Sequence, residues 1–102
     1  MPAKMIALYK APQDLPAFMK HYTEIHTPLV LAYPGLEKLE VTEVKRNLMA
    51  KELPYVLIAE MTFKDMETLK AALKSPQGEA VGKDLMGFAG DLATVLLTED
   101  TL

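Results

Sequence analysis

The sequence predicts an α+β domain: a four-stranded antiparallel sheet carrying its helices on one face and covered on the other by a second copy of itself. Three observations lead there. Four short apolar runs have strand length, two segments with apolar residues every three or four positions separate the first run from the second and the third from the fourth, and most of the strands are apolar on both faces.

The first strand is Met5-Ile-Ala-Leu-Tyr-Lys10, bounded by Pro2 and by Pro12-Gln-Asp14. Asp14 then offers a carboxylate to cap a helix, and Pro16 falls in the first turn, where its missing N–H costs nothing. In that helix Leu15, Phe18, Tyr22, Ile25 and Leu29 form an apolar stripe. His26 lies inside the stripe and faces whatever the helix covers, while His21 sits on its border, half exposed. Pro28 disfavours helical geometry at Thr27 and has no N–H to close its own turn, so the spacing predicts a break or kink just after His26. Thr27 is placed to cap a short continuation from Pro28 to Ala32.

Tyr33-Pro34-Gly35 is a turn into a second strand, Leu36 to Val44, with Leu39 and Val41 on one face and Lys38, Glu40 and Thr42 on a wet one. Lys45 to Pro54 is charged and aperiodic, a loop. Tyr55 to Phe63 is the third strand. Asp65 caps a helix with Met66, Leu69 and Leu73 on one face. Ser75-Pro76 opens a further helical segment whose apolar side is Val81, Leu85 and Phe88 and which Gly87 and Gly90 close. Leu92 to Thr98 is the last strand, and an acidic tail follows.

This order is the ferredoxin-like split βαββαβ pattern. Right-handed crossovers place both helical segments on one side of the sheet. Ile6 and Leu8 oppose Met5, Ala7 and Tyr9; Val56 and Ile58 oppose Leu57, Ala59 and Met61; Leu96 opposes Val95 and Leu97. Two helices cannot cover both faces, so a homodimer paired sheet against sheet is expected, against the alternative of a monomer with an exposed apolar patch.

A chain of 102 residues with no linker-like stretch is a single domain, 1–102. Half of its residues are hydrophobic and a quarter charged, with a net charge of −3 and no basic run, which argues against nucleic acid. The absence of cysteine removes disulfides, thiolate catalysis and thiolate metal sites, and points to a reducing, cytoplasmic location. The N-terminal apolar run is too short for a signal peptide, and no run is long enough to span a membrane.

The run His21-Tyr22-x-x-x-His26-x-Pro28-Leu29, followed by Pro34-Gly35-Leu36 and later by Ser75-Pro76-x-Gly78 with Asp84 and Phe88, resembles the EthD family, named for ethyl tert-butyl ether degradation. The likeness extends from the first strand to the last. It implies a dimeric α+β barrel with a small pocket between sheet and helices in each subunit. Within the wider superfamily such pockets serve cofactor-free oxygenases, lactone isomerases, polyketide cyclases and haem enzymes. Methylmuconolactone-isomerising relatives have a histidine at the place of His26 and a tyrosine at that of Leu39, so this chain departs from that reaction's pattern.

His26 is the candidate catalytic residue, a proton carrier in a half-dry pocket, although a histidine on an apolar stripe also serves to secure a kink by donating to a freed carbonyl. Tyr9, His21, Tyr22, Tyr33, Glu60 and Phe88 are candidate substrate-binding residues. Tyr22, Tyr33 and Phe88 have an alternative role as core aromatics, and Tyr9 and Tyr33 can present hydroxyls. Glu60 interrupts an otherwise apolar strand; it is either one half of a salt bridge at the sheet rim or a pocket acid. No metal is expected, because on a regular helix His21 and His26 point about 140° apart. No cofactor is expected either, since phosphate-loop, dinucleotide and GxSxG signatures are absent. The leading functional reading is a pocket enzyme acting on a small, mostly apolar organic molecule such as a lactone, phenol or quinone-like ring. The competing readings are a non-catalytic metabolite-binding or accessory protein and a purely structural dimer.

Overall fold

The computed structural model describes residues 1–102. The four strands are β1 (Ala3–Tyr9), β2 (Lys38–Glu43), β3 (Leu57–Phe63) and β4 (Ala93–Glu99). They form one antiparallel sheet in the order β2-β3-β1-β4, the ferredoxin-like arrangement. The register puts Met5 beside Met61 and Leu97, and Ala7 beside Ala59 and Val95. These residues and Tyr9 face the helices. Ile6 lies beside Glu60 and Leu96, and Leu8 beside Ile58 and Thr94, on the opposite, uncovered face. In the two central strands burial alternates strictly, the period-two signature of a sheet covered on one side.

The first crossover is not the single regular helix ending in a break that the sequence predicts. It consists of α1 (Leu15–His21), one wide π turn (Tyr22–His26) and α2 (Thr27–Leu31). Asp14 caps it through Oδ1, which accepts from the Ala17 N–H at 3.1 Å. His26 and Thr27 both keep right-handed helical dihedrals, so the chain continues instead of breaking. The proline ring at position 28 would press on the Glu24 carbonyl in a regular α-helix, and a turn enlarged by one residue relieves that clash. The Thr27 N–H donates to the Tyr22 carbonyl five residues back, and the Thr27 hydroxyl donates to the same oxygen at 2.8 Å rather than capping α2.

That extra residue also moves the stripe. Phe18, Tyr22, His26, Val30 and Tyr33 are buried, whereas Ile25, which regular spacing would put inside, is half exposed; Leu15 is half exposed too, at the start of α1 and ahead of the wide turn.

The second crossover is α3 (Met66–Lys74) and α4 (Pro76–Ala89). Asp65 caps α3 by accepting from the Thr68 N–H at 2.8 Å, and Ser75 caps α4 by accepting from the Gly78 N–H at 3.0 Å. Gly87 sits within α4; only Gly90 ends it. Gly78 is buried where α4 crosses the end of α3: a Cβ there would overlap the Ala72 carbonyl and stand 2.7 Å from that of Leu73. No helix is long and apolar enough to cross a membrane.

Candidate functional site

A cavity of about 140 Å³ lies between the helix-facing side of the sheet and the helices. Its walls are largely aliphatic, from Met5, Ala59, Met61 and Val81 among others, and its polar groups are His26 and the three tyrosines Tyr9, Tyr22 and Tyr33. β1 supplies Tyr9, the π turn supplies Tyr22 and His26, and Tyr33 follows α2. Burial next to an enlarged helical turn is how this chain places an imidazole against the sheet.

His26 is buried, and its Nδ1–H donates to Asp84 Oδ2 at 2.9 Å. An ionised carboxylate only accepts, so the proton is held on Nδ1 and Nε2 keeps a lone pair. No buried polar side-chain atom lacks a hydrogen-bond partner. Nε2 has none, so it retains accessible surface, and the cavity is what His26 borders. Asp84, on α4, also accepts from His21 Nε2–H, at 2.8 Å to Oδ1 and 3.0 Å to Oδ2. One carboxylate thus bridges both histidines. A regular helix would point them apart; the π turn, in which residues five apart come into line, brings them together. One ring nitrogen of each is engaged by the carboxylate at hydrogen-bond distance, and no group of three or more such side chains is arranged to hold a metal.

Burial holds the His26 imidazolium below the ordinary histidine range, because the cavity wall does not solvate a cation; the hydrogen bond and charge of Asp84 oppose this only in part. Burial likewise pushes the Tyr22 hydroxyl up to about 12. Tyr9 is raised further, by burial first and then by its neighbour Tyr22. Tyr33 is raised by burial. The site therefore offers neutral phenols as donors and a neutral imidazole as acceptor at ordinary pH.

Three of the expected substrate-binding residues stand outside this cavity. His21 lies on its outer side, with a third of its side chain exposed, and lines a surface groove. Phe88 packs behind the histidine pair, its ring 4.4 Å from that of His21 and 5.0 Å from that of His26. Glu60 is on the uncovered face of the sheet, 3.7 Å from Lys4 Nζ, which corrects its reading as a pocket acid: side chains alternate along a strand, and its neighbours Ala59 and Met61 take the cavity side.

Asp84 is the residue that reading for site chemistry overlooks. Its partners lie 58 and 63 positions away. The available signal was its place three residues after Val81 and four before Phe88, a carboxylate on the apolar side of a helix.

A family model described as the EthD domain matches residues 10–91. The structure is similar to that of an EthD family protein from Bacillus halodurans C-125, with 40% identity over 99% of this chain and 100% of that one and a TM-score of 0.93. An uncharacterized 11.0 kDa protein from the thcB-thcC intergenic region of Rhodococcus erythropolis is 26% identical over 95% of this chain and 93% of its own length. Two more distant structures share the fold. A dimeric ferredoxin-like protein of unknown function from Jannaschia sp. CCS1 has 19% identity, covers 98% of this chain and 100% of its own, and has a TM-score of 0.70. SnoaB, a cofactor-independent oxygenase from Streptomyces nogalater, has 11% identity, 99% and 92% coverage and a TM-score of 0.67.

Proposed function

This chain belongs to the EthD family, and from that premise and the geometry of the cavity we propose that it is a cofactor-free acid/base catalyst acting on a small, mostly apolar organic molecule, with His26 as the proton carrier. The observation that carries this reading is an imidazole that lines an apolar cavity with its Nδ1–H fixed by Asp84 and no hydrogen-bond partner at Nε2. A carboxylate behind a histidine sets the tautomer and stabilises the imidazolium that forms when Nε2 takes a proton. In the proposed step Nε2 removes a proton from a C–H beside a carbonyl or from a phenol O–H. The electron pair stays on the substrate as an enolate or phenolate, whose oxygen accepts from a tyrosine hydroxyl in place of water. Such an electron-rich anion either reprotonates elsewhere, which is isomerisation, or reacts with dioxygen; the cofactor-independent oxygenase sharing this fold is consistent with the second course.

We further propose that the working form is a homodimer joined through the uncovered sheet face. Leu8 and Ile58 are paired across strands there, as are Ile6 and Leu96. They make an aliphatic cluster beside the Lys4–Glu60 ion pair of the two central strands, a mixed apolar and polar surface of the kind that interfaces bury.

The test is a panel of small ketones, lactones and phenols screened by thermal stabilisation, with hits followed by NMR for hydrogen–deuterium exchange at carbon. The wild type should accelerate exchange, and His26→Gln should lose roughly 10²–10⁴-fold of that rate. Exchange at the wild-type rate in His26→Gln overturns the assignment. Ligands that bind without any exchange or turnover favour the alternative, a metabolite-binding accessory protein of an oxidative degradation pathway.

A further inference from the structure

The size, polar lining and opening of the cavity narrow what it takes, an inference that rests on the reading of this cavity as the ligand site. We infer that the ligand is a neutral, single-ring molecule bearing one hydroxyl or carbonyl, and that it enters between α4 and β4 through a port kept open by the missing side chain of Gly82.

Size comes first. A volume of about 140 Å³ is close to that of an engineered apolar cavity of about 150 Å³ that accommodates benzene, so one six-membered ring fits and a fused pair does not. Charge comes second. No lysine or arginine lines the cavity, and the carboxylate nearest to it, Asp84, stands directly behind His26. An anionic ligand would be buried without a cation and would face that carboxylate, a costly arrangement. A cationic one would find only neutral phenols and an imidazole. Burial keeps those phenols protonated, which agrees with a neutral occupant. The polar complement is specific as well: the Tyr9 hydroxyl donates to that of Tyr22, which leaves the Tyr22 O–H to donate to a ligand oxygen, while His26 Nε2 accepts from a hydroxyl.

The opening follows from the side of the cavity that is poorly covered. Gly82 and Val95 both border the cavity, yet Gly82 is exposed and Val95 retains 41% of its surface. Leu97, next along β4 on the same helix-facing side, is 43% exposed, so α4 does not close over this strand. A Cβ built on Gly82 meets nothing within 4 Å, in contrast to Gly78 one turn earlier. Glycine in the middle of an exposed helix weakens it relative to other residues and is not required here by any close contact. Its use at this point is consistent with leaving the passage clear.

The experiment measures binding of phenol, benzoate and 1-naphthol to the wild-type protein by ligand-observed NMR. Phenol should bind at least about tenfold more tightly than benzoate and than 1-naphthol. Gly82→Leu, which adds a side chain to open space, should slow phenol association at least about tenfold. Val95→Phe obstructs the same passage from the opposite wall and serves if Gly82→Leu does not fold; its expected effect is the same. Benzoate or 1-naphthol binding as well as phenol overturns the ligand class, and wild-type association in both port variants overturns the entry route. If those selectivities hold while His26→Gln exchanges protons at the wild-type rate, the proton role of His26 falls and this inference stands.

Discussion

Removing the carboxylate of Asp84 should destabilise the fold mainly through His26 and only slightly through His21. In Asp84→Ala the His26 Nδ1–H loses its partner at 2.9 Å in a side chain that is only 4% exposed, so water cannot replace it. A buried donor left unsatisfied costs about 1–3 kcal/mol. His21 is 34% exposed, and water can take over its lost bond, which limits that contribution to about 0–1 kcal/mol. The sum, about 1–4 kcal/mol, corresponds to a fall in Tm of roughly 4–30 °C for a domain of this size. The assay is urea and thermal unfolding at one fixed protein concentration, arranged as two double-mutant cycles: Asp84→Ala with His26→Phe, and Asp84→Ala with His21→Ala. The coupling between positions 26 and 84 should exceed that between 21 and 84 by about 1 kcal/mol or more. Equal couplings, or a loss below about 0.5 kcal/mol in Asp84→Ala, would refute the argument that burial at His26 gives the bridge its weight.

Because the His26 imidazolium is disfavoured in the fold, the unfolded chain binds more protons below the ordinary histidine pKa of about 6.5. Stability is therefore full above that pH and falls as pH drops below it; His26→Gln should flatten the slope of unfolding free energy measured between about pH 7.5 and 5.5. Tyr9 and Tyr22, both raised, should contribute little tyrosinate absorbance at about pH 11 until the chain unfolds, as ultraviolet titration with and without denaturant will report. Gly78→Ala should lower stability by about 1–3 kcal/mol in denaturant unfolding, since its Cβ meets two backbone carbonyls, while Gly82→Ala should be neutral or raise it by up to about 1 kcal/mol. Leu96→Asp, a charge placed beside Ile6 on the uncovered face, should yield a folded monomer by sedimentation with its circular dichroism unchanged; a dimer that persists places the interface elsewhere.

Local rules carried much of the architecture. Asp14, Asp65 and Ser75 each cap the helix their position announced, because a cap depends on a few adjacent residues and little else. The strand runs lie within two residues of their observed limits, and the two-sided apolar pattern of β1 and β3 matches the paired rows of the sheet. The helix containing both histidines was harder to read. Regular spacing puts Ile25 inside and turns His21 away from His26; the π turn reverses both, and its cause at Pro28 is visible while the chain's response is not. A proline conflict can be resolved by breaking, kinking or widening, and the choice depends on what packs against the helix.

The sequence by itself determined the kinds and order of elements, the burial of His26 and the absence of a basic run and of any thiol, because these follow from side-chain periodicity and inventory. Only the tertiary structure decided which face each strand residue takes, sending Glu60 away from the cavity, and which carboxylate meets the histidines. Asp84 lies far along the chain from both, and a contact of that kind depends on how two crossovers pack over one sheet, a property of the whole fold rather than of any segment.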